Sequence, residues 1–480
     1  MKIALVHYHL EPGGVTRVIE NTVQAWEKTG IGPDQYTVLC GRPYSGGRLD
    51  HVEVVEGLDY ADVKDAPDSS LLRQRMEEAA LSALGQLPDL WHIHNHSLGK
   101  NPALSAAVAD LAKSGARLLL QPHDFAEDGR PQNFSNLSAA LPTLYPTAGQ
   151  IHYAVLNRRD EFFLRSTIGE LNSSVHLLAN AIPEPPIASQ VSSMRPCSTI
   201  PENLLLYPVR AVRRKNLGEL ALLAATHPEF HFANSLGPTN PSFLPIYQDW
   251  IEYAEHNQLR IIYGLGENTK ATFHELIDHA QSMINVSVAE GFGLGFLEPW
   301  TFGKSLCGRN ISEITSDFSE LGVSLDHLYD ELWIDSSLVN EDSLRQSVSD
   351  ALNIGYHNYR RNMPADSVDR AIKSIQTSLG VKFGSLNEDL QKNAILKVQS
   401  SKYETSSIRE QARIGMVDNQ KIKQNQSAVK KNFSLSAYGE KVFRIYRDVL
   451  NSPTSKIIFA DNEILLNQFL KPERLNLLRT

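Results

Sequence analysis

Cysteine is nearly absent from this 480-residue chain: there are 3, Cys40, Cys197 and Cys307, far apart and without paired spacing. That excludes a disulfide framework and fits a reducing compartment. Cys40 and Cys307 lie in apolar, strand-like contexts and are expected as buried small hydrophobes. No apolar run approaches the roughly 18 residues that span a bilayer. The N-terminal segment reads as a strand, without the apolar core of a signal peptide. The expectation is therefore a cytoplasmic chain with no stable membrane insertion. The helix candidate Ser69–Leu84 mixes Arg73 and Arg75 with Glu77 and Glu78, so it lacks the basic stripe of a surface-bound helix. A basic excess is missing too. With 46 Lys+Arg against 55 Asp+Glu the net charge is −9, which argues against a nucleic-acid partner. No Asp-x-Asp stands at a strand end, and Asp59 and Asp62 precede a polar stretch read as surface. His94 and His96 have no third ligand at metal-site spacing, so no metal site is expected. Gly-x-Gly-x-x-Gly does not follow the first strand, which disfavours a dinucleotide-dependent oxidoreductase.

What is present is a soluble globular composition, 42% hydrophobic and 21% charged, in a chain too long for one ordinary core. Strand-like apolar runs alternate with helical stretches from Met1 to about Leu178, the pattern of an α/β domain with a helix-covered parallel sheet. Between Pro183 and Pro201 five prolines and five hydroxyl residues crowd nineteen positions, which no helix or inner strand tolerates. A second alternating series runs from Leu204 to about Leu379. Residues 400–431 are polar, with seven Lys/Arg against three Asp/Glu, and read as a solvated helix or an excursion. Helical periodicity returns at Ser434–Leu450 through Tyr438, Val442, Ile445, Tyr446 and Leu450. The expected division is 1–182, a linker 183–202, a second domain 203–432 and an extension 433–480.

Two stretches of the second series carry chemistry. Glu290-Gly-Phe-Gly-Leu-Gly-Phe-Leu-Glu298 follows a short apolar strand, Ser282–Ser287, and runs into a helix expected from Phe296 to Phe302. Ligands of open α/β sheets bind at that carboxyl edge. Glycines let backbone N–H groups approach an anion, a helix N-terminus adds a positive dipole end, and carboxylates accept from sugar hydroxyls. Upstream, the strand beginning at Leu204 ends in Arg210, with Lys215 five residues on and a helix from Leu217 to Ala225 after it. Two cations there suit a diphosphate, although a solvated basic turn through Arg213 and Arg214 is the plainer alternative.

Together these segments resemble the retaining nucleotide-sugar glycosyltransferases of the GT-B fold, in particular family 4. The strand–Arg–x4–Lys segment and, about eighty residues on, the Glu-x7-Glu motif stand in family order. The N-terminal strand followed by Gly13 and Gly14 is similar to the family's glycine loop, with Thr16 and Arg17 opening the next helix. Asp89–Asn95, Leu118–Asp124 with its His123–Asp124 pair, and Leu177–Ile182 also resemble family segments. Val209, Pro299, Lys304 and Arg309–Glu313 depart from the family pattern without removing a donor-binding side chain.

The resemblance implies two Rossmann-like domains facing a central cleft, with a C-terminal helix crossing back to the first domain. It implies a nucleotide-diphosphate sugar as donor substrate and no cofactor or metal. Arg210, Lys215, Gly13 and Gly14 would hold the donor diphosphate, and Glu290 the sugar, with backbone from Gly291, Phe292, Gly293 and Leu294. Glu298 would hold the ribose hydroxyls, and His123 would enter the cleft near the sugar. The family needs no protein nucleophile: the leaving β-phosphate takes the acceptor's proton on the same face. Lys100, Asp124 and Arg130 are the acceptor-side residues, and the two cations suit an anionic acceptor. The implied function is retaining hexosyl transfer to a soluble small molecule or saccharide. The rivals are a lipid-linked or envelope-glycan acceptor at a membrane surface and a non-catalytic nucleotide-sugar-binding protein. A homo-oligomer is compatible with either.

Overall fold

The computed structural model describes residues 1–169, 173–185, 200–269 and 271–479. Most of the linker expected at 183–202, and Cys197 with it, lies outside these residues. The chain forms two compact units. The first comprises Met1–Pro183, Asn358–Arg361 and Lys431–Leu470; the second comprises Glu184–His357, Asn362–Lys430 and the segment from Lys471 onward.

The first unit is built on seven parallel strands: β1 (Lys2–Val6), β2 (Gln35–Cys40), β3 (Val52–Val54), β4 (Leu90–His94), β5 (Leu118–Gln121), β6 (Ile151–Val155) and β7 (Ser174–Leu177). Their spatial order is β3-β2-β1-β4-β5-β6-β7. The inner strands are buried on both faces, as in a sheet covered by helices on each side, and Ile3, Leu5, Leu119 and Tyr153 are fully buried. Helix α1 (Gly14–Thr29) ends where Gly30, at φ 65°, donates its N–H to the Trp26 carbonyl. The helix expected at Ser69–Leu84 has those bounds. Asp68 caps its start by accepting from the Ser70 and Leu71 amides, and Gly85 closes its end.

The late helix forms as Leu435–Asn451, capped by Ser434, and lies in this first unit against α1. Tyr438 and Thr22 share a hydrogen bond at 3.0 Å, and Gly439 approaches Ala25 so closely that a Cβ would stand 3.0 Å from the Ala25 methyl. Arg117 caps the other end, donating to the Val449 and Ser452 carbonyls at 2.7 and 2.8 Å. The expected apolar positions are buried except at the end, where Val449 rather than Leu450 completes the face.

The second unit carries five parallel strands: β8 (Leu204–Arg210), β9 (His231–Leu236), β10 (Ile261–Ile262), β11 (Ser282–Asn285) and β12 (Leu306–Gly308). Their order is β10-β9-β8-β11-β12. Both sheets therefore reverse direction between their first and fourth strands, at β1/β4 and at β8/β11. In open parallel sheets such a reversal leaves a crevice at the carboxyl edge where ligands bind. The polar tract 400–431 is helical, Lys402–Ala412 and Asn419–Phe433, anchored by buried Ile408, Ala412, Asn425 and Val429. Cys40 and Cys307 are buried, and no described helix is long and apolar enough to cross a membrane.

Candidate functional site

The reversal in the second sheet collects the charged residues of both motifs. Arg210 is the last residue of β8 and exposed, with Nη1 donating to the Gly237 carbonyl at 3.0 Å. The chain then makes a tight turn, Arg213–Lys215, and Asn216 takes a left-handed φ of 52° before the helix Leu217–Thr226. Beyond β11 the Val288 amide donates to the Arg214 carbonyl at 3.0 Å, joining the two loops. That bond brings Lys215 Nζ onto Glu290 Oε1 as an ion pair whose side chains are only 13% and 14% exposed. Burial lowers the Lys215 pKa, and the Glu290 carboxylate opposes that shift.

Arg213 does not join this group. It pairs bidentately with Glu388 at 2.7 and 2.8 Å and donates to the Leu477 carbonyl, so it ties the turn to the body of the unit. Arg309, one of the departures from the family pattern, is the hub of a buried network. It donates to both Glu219 oxygens at 2.9 and 2.6 Å and to Glu331 at 2.7 Å. Glu219 also accepts from Tyr329 at 2.9 Å and from Asn216 at 2.9 Å. The network therefore fixes the residue after Lys215. Sequence reading missed it, and the only available signal was an arginine where the family turn is glycine-rich.

The second motif needs one correction. The helix expected from Phe296 to Phe302 is only a 3-10 turn, Leu294–Phe296, followed by Glu298–Thr301. Pro299 in its first turn removes a donor and Gly303, at φ 66°, ends it, so four residues supply no useful dipole. Glu298 is half-buried at its first position. Phe292 points inward, 6% exposed, with its ring edge-on to Phe318, so only its backbone is left for a ligand. Gly293 takes φ 91°, and a Cβ there would lie 3.0 Å from the Phe296 ring. At Gly291 and Gly295 a Cβ would meet nothing within 4 Å. Lys304 is a packing cation, donating to the Asp278 and Ala280 carbonyls at 2.9 Å.

The carboxyl edge of the first sheet has different chemistry. Gly13 and Gly14 begin α1 with no side-chain cap, which leaves its first amides unmet by side chains, and a Cβ at Gly14 would meet nothing within 4 Å. His123 follows β5, with its ring stacked on His94 and Nε2 2.9 Å from His94 Nδ1. Asn95, at φ 56°, clamps that turn: Oδ1 accepts from the His123 amide at 2.7 Å and from the Asp124 amide at 3.3 Å. His92 lies between the Tyr446 hydroxyl and Gln121 Oε1, each at 2.8 Å, and His7 packs edge-on to His94. Burial first, then mutual repulsion, lowers the His123 pKa to about 3; burial lowers His92 to about 4. His92 and His94 were missed as a group, although period-2 alternation puts them on one face of β4.

The acceptor-side residues divide. Asp124 and Arg130 pair with each other at 2.7 Å, and Arg130 Nη1 donates to the Phe125 and Asp128 carbonyls at 3.3 and 3.1 Å. Arg130 is thus largely committed to its own loop. Lys100 lies over the Tyr60 ring at 5.3 Å and has no carboxylate partner among the described residues. Asp59, which precedes the polar stretch read as surface, pairs with Arg42 at 2.6 Å. Among the described residues no group of three or more His, Cys, Asp or Glu could hold a metal ion.

Two Rossmann-like parallel sheets and a late helix returned onto α1 define the GT-B class. Two solved structures share the fold. Sucrose-phosphate synthase from Thermosynechococcus elongatus matches with TM-score 0.53 and 14% identity, covering 93% of this chain and 98% of its own. HepE from Anabaena, in complex with UDP and glucose, matches with TM-score 0.52 and 11% identity, over 93% and 99%. No family model matches the chain. In sequence it is 24% identical to the mannosylglucosyl-3-phosphoglycerate synthase of Petrotoga mobilis, over 66% of each chain, just under two thirds of that relative's length. The chain has the GT-B fold, and its sequence resembles that of a glycosyltransferase of the retaining family 4 type.

Proposed function

We propose that this chain is a retaining hexosyltransferase that uses a nucleotide-diphosphate sugar and an anionic small-molecule acceptor, without a metal ion. The observation that carries this reading is the Lys215–Glu290 ion pair at the β8/β11 reversal, with exposed Arg210 ending β8. A buried lysine holding a carboxylate at that carboxyl edge is poised to exchange that carboxylate for a diphosphate. Arg210 and Lys215 then oppose the charge that grows as the diphosphate leaves, usually the largest catalytic contribution. Glu290 is released toward the sugar, and Glu298 accepts from the ribose hydroxyls.

The bond from the anomeric carbon to the β-phosphate oxygen breaks while the acceptor oxygen attaches on the same face. The acceptor's proton passes to the departing phosphate oxygen, so configuration is retained. Lys100 supports the anionic acceptor, since no described acid of its own unit pairs with it. The relative in Petrotoga mobilis points the same way, because its name denotes a product containing a phosphoglycerate. The test is a panel of nucleotide sugars, each incubated with phosphorylated or carboxylated acceptors and with neutral sugars, in EDTA. Nucleoside diphosphate release stimulated by the anionic acceptors is expected. Stimulation by neutral sugars alone would reverse the acceptor class, and activity only with added magnesium or manganese would remove metal independence.

A further inference from the structure

We infer that His94 fixes the tautomer of His123, so that His123 presents a neutral Nδ1–H donor to a substrate hydroxyl. This rests on the proposed function for the substrate, but the tautomer itself follows from hydrogen-bond accounting. His94 Nδ1 and His123 Nε2 are 2.9 Å apart, so one proton lies between them. His94 Nε2 is buried with no partner, and His94 is fully inaccessible. If the shared proton belonged to His123, neutral His94 would carry its own proton on Nε2, an N–H with no acceptor. If it belongs to His94, the orphan is a bare lone pair. Orphaned buried N–H groups are the rarer of the two.

The shared proton is therefore on His94 Nδ1, His123 Nε2 accepts it, and the remaining His123 proton is on Nδ1. The clamp of Asn95 on the His123 and Asp124 amides fixes the backbone as His94 fixes the ring. Burial and the neighbouring His7 and His92 keep the His123 ring neutral, with its pKa lowered to about 3. His123 can thus donate to an oxygen but cannot take a proton. That agrees with a reaction in which the phosphate oxygen receives it. His94 is a positioning residue.

The test is ring nitrogen NMR on the full chain labelled with 15N-histidine, with His123 assigned by its loss in His123→Gln. A protonated Nδ1 and a bare Nε2, unchanged from pH 5 to pH 8, are expected. His94→Asn keeps an N–H donor near the Nδ1 position and should preserve both the tautomer and turnover. His94→Leu should mix or invert the tautomer and lower kcat by about tenfold, the scale of one neutral hydrogen bond, with donor KM little changed. A wild-type His123 protonated on Nε2, or titrating near pH 6.5, would overturn the tautomer assignment. An Nδ1–H His123 whose replacement by Ala leaves kcat unchanged would instead overturn the substrate contact and leave the tautomer assignment standing.

Discussion

The two sheets reverse direction at the same topological point and fill it with opposite chemistry. At β8/β11 the edge is ionic: Lys215 against Glu290, Arg210 exposed at the end of β8, and the Arg309–Glu219 network in the same unit. At β1/β4 it is neutral: His7, His92, His94 and His123, all held uncharged by burial. Topology supplies a crevice in both cases, and the residues at the strand ends decide what it suits. Fixed cations suit a diphosphate, whose charge is present throughout. Neutral imidazoles suit hydroxyls, which need oriented donors and would gain little from a field.

The largest test of that contrast is Lys215→Ala, expected to lower kcat/KM by about two orders of magnitude or more. Near-normal turnover in the purified, folded variant would break the comparison on its ionic side. Glu290→Gln should behave differently. It frees Lys215 from its counter-ion, so nucleoside diphosphate should bind tighter by roughly 1 kcal/mol while turnover falls. Calorimetric titration with the bare diphosphate measures the first and donor kinetics the second.

Next in size is the response to pH. The folded pKa values of His7, His92 and His123 are lowered to about 3, about 4 and about 3. Their contribution to stability is therefore present above the unfolded value near 6.5 and is lost as pH falls. Each costs up to about 2 kcal/mol by pH 5. Hydrogen exchange should show β4 and β5 loosening more than β8 and β11 between pH 7 and pH 5. Glu127 runs the other way. It is fully buried beside the Tyr145 hydroxyl, and desolvation raises its pKa to about 7. Its contribution is present below about 4.5 and lost as pH rises through 7. Glu127→Gln should gain about 2 kcal/mol on wild type between pH 5 and pH 8, measured by denaturant unfolding.

Glycines separate ligand contact from fold. Gly14→Ala places a methyl in open space and should leave Tm alone while raising donor KM roughly tenfold, about 1.4 kcal/mol. Gly293→Ala meets a left-handed φ and the Phe296 ring, so it should cost about 1–2 kcal/mol of stability. Reversed outcomes would mean that the loop before α1 is a structural turn.

The smallest effects distinguish Lys100 from Arg130. Lys100→Gln should raise KM for an anionic acceptor several-fold and leave a neutral one unaffected. Arg130→Gln, half-exposed in its pair with Asp124, should cost at most about 1 kcal/mol, chiefly as loop order. Equal acceptor effects from both would return Arg130 to the acceptor side.

Much of this protein was legible locally. The helix Ser69–Leu84 follows from its cap, its period and its closing glycine, and the late helix from buried positions three and four apart. The alternation of strands and helices specified parallel sheets, and the spacing placed Arg210 at the end of a strand with Lys215 in the turn before the next helix. Local pattern encodes which face of an element turns inward and where the chain must bend. It does not encode which residue stands opposite. Lys215 and Glu290 are 75 positions apart and meet only because β11 lies beside β8 and one loop bond joins their ends. Arg309 finds Glu219 across 90 positions, Tyr446 finds His92 across 354, and Arg130 turns from an expected ligand contact to Asp124. Those partners set charge, tautomer and availability, and strand order and packing chose them, because an ion pair or a shared proton depends on a few ångströms that only the assembled fold fixes.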